Sequence, residues 1–533
     1  MKYPEYKSPD YHKITQEILT FWKENQLFEQ SVSFREGKPS FTFYEGPPSA
    51  NGTPGIHHVM ARTIKDIFCR YKTLQGFQVK RKGGWDTHGL PIELQVEKEL
   101  GITKEDIGKK ISIADYNQKC RETVMRFTDQ WNDLTEKMGY WVDLEHPYIT
   151  YKNEYIETLW YLLKKLYDKG LLYKGYTIQP YSPAAGTGLS SHELNMPGTY
   201  KEVKDTSVVA MFKVAPQPPK GTLNDSENRE TFPLESIYSP FGGWGATYFL
   251  AWTTTPWTLP ANSALTVGKN IDYVLVKTFN QYTFLPVTVI LARDLVGKYF
   301  SDKAKEVSFE DYKAGDKLIP WEILSAYKGS DLLGVEYEQL LPYVTPPAGV
   351  GGLAFRVIPG DFVTTEDGTG IVHTSPTFGA DDFRAAQDAG IPSIMVKDEN
   401  GKDVPIVDKQ GRFVKEITDF AGRFVKAEYE TDATLADPNY KSTDVLIAIK
   451  LKEENKAFKV EKYEHNYPHC WRTDKPILYY PLDSWFIRTT AVKDKLVALN
   501  KTINWKPEAT GTGRFGNWLE NLQDWNLSRS RFW

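Results

Sequence analysis

Two adjacent histidines, His57 and His58, head a helical stretch directly behind a loop rich in glycine and proline, GPPSANGTPG at residues 46–55. A strand feeding such a loop and then a helix N-terminus presents backbone N–H groups to a phosphate. The stretch contains neither GxxxxGK[ST] nor GxGxxG, so it is not a P-loop or a dinucleotide fingerprint. A plainer reading is that the pair only caps the helix. Asp86 follows in the turn GGWDTHGLP, either as a site residue at a strand end or as the N-cap of the helix LPIELQVEKEL. Farther on, WTTTPWTLPAN (residues 252–262) and GTGIVHTSPTFGADDF (residues 368–383) gather Thr253, Thr254, Thr255, Asn262, His373 and Asp382. Taken alone, a threonine cluster in a β-rich stretch reflects strand propensity.

The elements that must position these groups are legible in outline. Residues 11–29 carry Ile14, Ile18, Leu19, Phe21, Trp22 and Leu27 at mainly helical spacing, which reads as one amphipathic helix. A strand over Phe41 to Tyr44, a helix from about His57 to Gly76 and a strand over Gln78 to Lys82 make a βαβ pattern. Its site is expected at the strand C-termini of a doubly wound α/β sheet. Residues 112–138 and 152–170 read as long helices, the second with a wide apolar face expected in the core. From about Lys201, runs such as VVAMFKV, YVLVKTF and TVILA alternate with Gly/Pro turns, which reads as an inserted, largely β domain. The expected division is residues 1–201 for the first part of the α/β domain, 202–425 for the insert and 426–533 for the return.

At 533 residues the chain is too long for one core. It has no apolar run of 18 residues, and MKYPEYKSPD lacks the apolar centre of a secretory signal. Cys69, Cys120 and Cys470 are far apart and form no CxxC, which argues against a disulfide framework or a cysteine zinc site. A cytoplasmic enzyme fits. A net charge of −4 neither requires nor excludes nucleic acid, because binding depends on local patches.

The stretch from Phe43 to Glu93, with GWDTHGLPIE, resembles the nucleotide-binding signature of class I aminoacyl-tRNA synthetases, most closely the isoleucyl-tRNA synthetases. The two threonine- and histidine-bearing stretches resemble that family's editing domain, which hydrolyses tRNA mischarged with valine. The resemblance runs over essentially the whole chain. It implies a Rossmann-like doubly wound parallel sheet with a large inserted, mostly β editing domain. It also implies ATP with Mg2+, isoleucine and tRNA(Ile) as ligands, no membrane contact and a monomer. The family's His-x-Gly-His quartet falls on Gly55, Ile56, His57 and His58, so its first histidine is Gly55 here and its glycine is His57. By resemblance His58 keeps its role at the ATP phosphate, His57 reaches the phosphate from another direction, and Gly55 supplies space for adenine.

The same resemblance puts Gly46 and Pro47 beside the substrate side chain, Asp86 on its α-ammonium and Trp485 against the isoleucine pocket. In the insert, Asp382 anchors the α-ammonium of the wrong amino acid, and Thr253, Thr254, Thr255 and Asn262 line the pocket. His373 limits its size and helps place the attacking water. No metal is expected. Ala185 stands where some members have a zinc-binding cysteine, and His469 with Cys470 reads as structural. The family's KMSKS loop and anticodon-binding helices have no counterpart here, so the chain reads as an N-terminal portion unable to charge tRNA alone. A freestanding deacylase, a decayed tRNA-binding protein and a valyl enzyme are the competing readings.

Overall fold

The computed structural model describes residues 8–43, 46–216, 235–238, 244–346, 353–529 and 531–533. The chain divides into two compact units. The first is Met1–Tyr173, Phe486–Leu527 and Arg531–Trp533, and the second is Lys174–Trp485 with Ser528–Ser530.

The first unit opens with α1 (Tyr11–Glu24) and α2 (Leu27–Ser33), where the periodicity predicts one helix. The chain breaks between them because Gln26 adopts a left-handed conformation with φ 47°. Helix α3 spans Ile56–Leu74 as expected. The predicted flanking strands are shorter or displaced. Ser40 and Gln78 form only an isolated parallel bridge, and Tyr44 lies outside the described residues. The regular strand is β1 (Lys82–Trp85), which pairs in parallel with β2 (Asp143–Ile149). Between them come α4 (Leu90–Leu100), α5 (Ile113–Val124) and α6 (Thr128–Lys137). Ile92 and Val96 of α4 pack on Tyr116, Cys120 and Val124 of α5, while Ala50, Trp85 and Trp131 form a second small core. Helix α7 (Asn153–Asp168) departs from expectation. None of its residues is buried, and Trp160 is 71% exposed, so its apolar face is not core.

The second unit is mostly β. Its strands include β3 (Leu172–Ser182), β4 (Thr187–Gly188), β5 (Tyr200–Lys213), β6 (Thr247–Thr253) and β7 (Ala264–Val267). They continue with β8 (Asp272–Phe279), β9 (Pro286–Ala292), β10 (Glu322–Lys328), β11 (Arg356–Pro359) and β12 (Ile371–Thr374). Among the described residues a nine-stranded sheet runs β10-β8-β9-β6-β12-β7-β11, with β5 on β6 and the strand Ala457–Pro468 on β5. Alternate residues point to opposite faces. Val208, Ala210 and Phe212 therefore enter one core while Val209 and Met211 enter another. Apolar cover on both faces explains why these strands read as continuous Val/Ile/Phe runs. The predicted insert, 202–425, lies inside this unit, which also takes in 426–485. Asp205 pairs with Lys426, and Ala457–Pro468 runs antiparallel to β5, so the later segment packs with the insert.

Candidate functional sites

In the first unit, Gly55 is the N-cap of α3 and His57 and His58 lie in its first turn. His58 does cap the helix: its Nδ1 accepts the Gly55 N–H at 2.9 Å. That leaves Nε2 to carry the ring proton. Burial, then the nearby His57 and Arg62, push the His58 pKa down, so near neutral pH it is an uncharged donor. The two imidazoles lie 3.7 Å apart, and His58 meets Trp131 edge to face. Beside His58 is a cavity of about 390 Å³ lined by Gly46, Ser49, Thr53, His58, Lys65 and Trp131, among others, but not by His57 or Gly55. The Ser49 hydroxyl is buried in this loop with no hydrogen-bond partner. A helix N-terminus, a donor imidazole and cationic Lys65 suit an anion such as a phosphate. Lys65 and Trp131 carried no motif signal and went unforeseen.

The glycine at 55 has a local cause. A Cβ there would lie 2.9 Å from Cε1 of His57, which folds back over the N-cap. Gly55→His makes the exposed His57 ring swing aside and is therefore expected to cost up to about 1 kcal/mol. Adding His57→Gly removes the obstructing ring and should restore most of that loss. Urea unfolding of the two variants checks this. Equal stability of the single variant and the parent would sink the explanation.

Asp86 lies at the C-terminal end of β1, exposed, with its N–H bonded to the Pro48 carbonyl at 3.0 Å. It does not cap α4, whose N-cap is Gly89 with no side-chain bond. Its carboxylate is thus presented at the strand end. Thr87 is fixed through Thr150, whose Oγ1 accepts the Thr87 N–H at 3.0 Å. Gly46 is exposed and lines the cavity, and Pro47 is half-buried beside it in sequence. Trp485, in the second unit, is 46% exposed, and its N–H donates to Ser528 Oγ.

The second unit joins most of the other predicted residues. Strands β6 and β12 run parallel, with Val372 opposite Trp252, so Thr253 and His373 arrive at neighbouring strand ends. Thr253 Oγ1 accepts the Thr255 N–H at 3.0 Å. The tight turn Pro256–Ala261 follows, and its Thr258 Oγ1 donates to the Thr255 carbonyl at 2.8 Å. The fully buried His373 ring lies between Thr258 Oγ1, 2.8 Å from Nε2, and Asn262 Nδ2, 3.0 Å from Nδ1. Asn262 also accepts the Tyr337 hydroxyl at 2.6 Å. An amide donor at Nδ1 assigns the ring proton to Nε2, which donates to Thr258. Burial pushes the His373 pKa down to about 3, so the ring is neutral. Thr258 and Tyr337 were missed by sequence reasoning. Thr258 lies inside the quoted motif, whereas Tyr337 has no local signal.

Asp382 sits in the first turn of the helix Ala380–Asp388, which β12 feeds through Ser375. Its carboxylate accepts the Ser375 N–H at 2.8 Å, and Gly379 makes room for it, since a Cβ there would lie 2.7 Å from its Cγ. Desolvation raises its pKa to about 7, against the lowering effect of the Ser375 bond. The Ser375 hydroxyl beside it is buried with no hydrogen-bond partner. Thr254 is half-buried. A half-buried carboxylate of raised pKa beside polar groups is an acceptor suited to a cation. Among the described residues no group of three or more His, Cys, Asp or Glu side chains is placed to hold a metal ion.

The sequence profile of tRNA synthetases class I (I, L, M and V) matches residues 17–533. The chain belongs to the class I tRNA synthetases. It is 67% identical, over its whole length, to an isoleucine–tRNA ligase of Cytophaga hutchinsonii, and covers 46% of that protein. It is 61% identical to an isoleucine–tRNA ligase of Bacteroides fragilis, again over the whole chain and 46% of the relative. It is 41% identical to one of Clostridium tetani, over 99% of the chain and 43% of the relative. The chain thus spans about half the length of these relatives. Among solved structures, a Plasmodium falciparum leucyl-tRNA synthetase editing domain aligns at 15% identity with a TM-score of 0.22, over 34% of this chain and 65% of that one. As a class I synthetase chain, it has the family's α/β fold with an inserted editing domain. No helix among the described residues is long and apolar enough to cross a membrane.

Proposed function

We propose that this chain carries the ATP- and amino-acid-binding sites of an isoleucine–tRNA ligase, together with a hydrolytic site that removes valine from mischarged tRNA(Ile). One observation carries the reading. The relatives similar over the full chain are named isoleucine–tRNA ligase, and both signature stretches lie at cavities or buried polar clusters with suitable chemistry.

In the first site, ATP phosphate is held at the start of α3 by backbone N–H groups, His58 Nε2–H and Lys65, and Mg2+ enters with the nucleotide phosphates. The ion neutralises phosphate charge. Asp86 holds the α-ammonium of isoleucine through a charge-assisted bond, and Pro47 contacts its side chain. That pocket alone cannot exclude valine, since one methylene changes binding by only about 1–3 kcal/mol; isoleucine against valine is the standard worked case of that arithmetic.

The second site supplies the rest of the discrimination. Asp382 fixes the ammonium of the valyl ester. His373, neutral and held at both nitrogens, walls the pocket and orients Thr258. The hydroxyls of Thr253, Thr254 and Thr255 orient the water that attacks the ester carbonyl, with no covalent intermediate. The protein works as a monomer in the cytoplasm. The chain should hydrolyse Val-tRNA(Ile) at least about tenfold faster than Ile-tRNA(Ile). Equal rates would refute isoleucyl identity, and faster loss of threonine than of valine from tRNA(Val) would favour a valyl enzyme.

A further inference from the structure

The turn Pro256–Ala261 carries Thr258 and leads into Asn262, yet its own N-terminus has no side-chain cap from within the motif. The missing acceptor comes from 187 residues downstream. Asp444, in the first turn of the helix Thr443–Glu453, accepts the backbone N–H of Trp257 at 2.9 Å. Both residues are buried, Asp444 at 6% exposure and Trp257 at 2%. The Trp257 ring in turn packs edge to face on Phe378, 5.0 Å away, in the segment between Ser375 and Asp382. This bond therefore anchors the start of the threonine turn from outside and, through one ring, bears on the segment that holds Asp382.

Behind Asp444 lies a charged group that no mechanistic step uses. Lys426 is buried and pairs with Asp205 of β5 at 2.8 Å, with its ammonium 4.1 Å over the Tyr467 ring. His465 also faces Asp205, at 3.3 Å. Burial alone would lower the Lys426 pKa, but Tyr467, Asp444 and Asp205 outweigh it and hold the ammonium charged. Burial raises the Asp444 carboxyl to about 7, with Lys426 opposing that rise and Asp205 and Glu428 adding to it. A buried carboxylate costs several kcal/mol unless a cation and hydrogen bonds offset it. Here Lys426 provides the cation and the Trp257 N–H one of those bonds.

We propose that Asp444 is a positioning residue for hydrolysis: it holds the Pro256–Ala261 turn so that Thr258 and Asn262 grip His373 in the pocket wall. This rests on the hydrolytic reading given above. It assigns a role in the pocket to a segment that sequence reasoning returned to the α/β domain.

The test compares Asp444→Ala and Asp444→Asn in the 533-residue chain. Steady-state hydrolysis of Val-tRNA(Ile) is measured beside amide exchange at Trp257. Asparagine keeps an acceptor for the Trp257 N–H, so its kcat should stay within about threefold and the amide should stay protected. Alanine removes the acceptor. It should lower kcat at least about tenfold, leave KM within about twofold, and speed Trp257 exchange by a similar factor. If the alanine variant does not fold, Asp444→Ser, which is too short to reach the N–H, is read in the same way. Unchanged exchange at Trp257 in a folded removal variant would overturn the proposal. So would wild-type kcat in that variant, or an asparagine variant as impaired as it. If the parent chain itself hydrolyses nothing, the hydrolytic reading fails, and the exchange data still decide whether Asp444 holds the turn.

Discussion

Replacing Asp382 with alanine should reduce hydrolysis of Val-tRNA(Ile) about 100-fold or more. The carboxylate is tied down by the chain's own backbone, through Ser375 N–H. Losing one partner of a desolvated charge pair costs about 3–5 kcal/mol, which corresponds to roughly 10²–10⁴ in rate. The pH dependence makes the assignment specific. Desolvation holds the empty-site pKa at about 7, so protonation, which removes the acceptor for an ammonium, begins near neutrality. The shift is upward, so activity is lost on the acid side: kcat/KM should fall about tenfold per pH unit below 7. Above about pH 8 it should fall again, as the ester's own α-amino group loses its proton. Asp382→Asn should abolish the acid limb and leave a low, flat profile after subtraction of spontaneous ester hydrolysis. An acid limb that survives in that variant would assign it to another group.

The sequence made some of this geometry legible. Gly/Pro density ahead of His57 marked the start of α3 to within a residue. The β-rich, doubly apolar runs marked the inserted sheet, because strands covered on both faces are written in Val, Ile and Phe. Thr253, Asn262 and His373 were singled out because their two stretches resemble one family together, and the structure brings them to neighbouring positions. What escaped is set by tertiary contact. Tyr337 bonds Asn262 across 75 residues and Asp444 reaches Trp257 across 187, and neither has a local signature. The break at Gln26 needs a positive φ that periodicity does not report. Nor does spacing show that His57 folds over residue 55 and would have to move for a larger side chain there.

Glu93 is where the largest change in stability is expected. It lies in the motif GWDTHGLPIE, and its carboxylate is wholly inaccessible. One oxygen accepts Arg531 Nε at 2.6 Å, and the other accepts the backbone N–H groups of Phe532 and Trp533, each at 2.9 Å. Glu97, one helical turn along α4, takes another nitrogen of the same guanidinium. Burial raises the Glu97 pKa and Arg531 opposes the rise. The Trp533 indole N–H then donates to the Thr87 carbonyl at 2.5 Å, and its ring rests 5.0 Å from that of His88. This cluster ties residues 531–533 to the loop that presents Asp86. Glu93→Ala takes one carboxylate from a guanidinium that is 5% exposed and keeps Glu97, and removes the acceptor of two backbone donors, at a cost of about 3–5 kcal/mol. Glu93→Gln keeps acceptors for the backbone and should cost distinctly less. Urea unfolding gives the magnitudes. Hydrogen exchange should show the loss in peptides 86–100 and 525–533 while the β sheet of the second unit keeps its protection. If Glu93→Ala is as stable as the parent, the ion cluster does not hold this loop, and packing of α4 on α5 through Ile92 and Val96 must supply the anchorage instead.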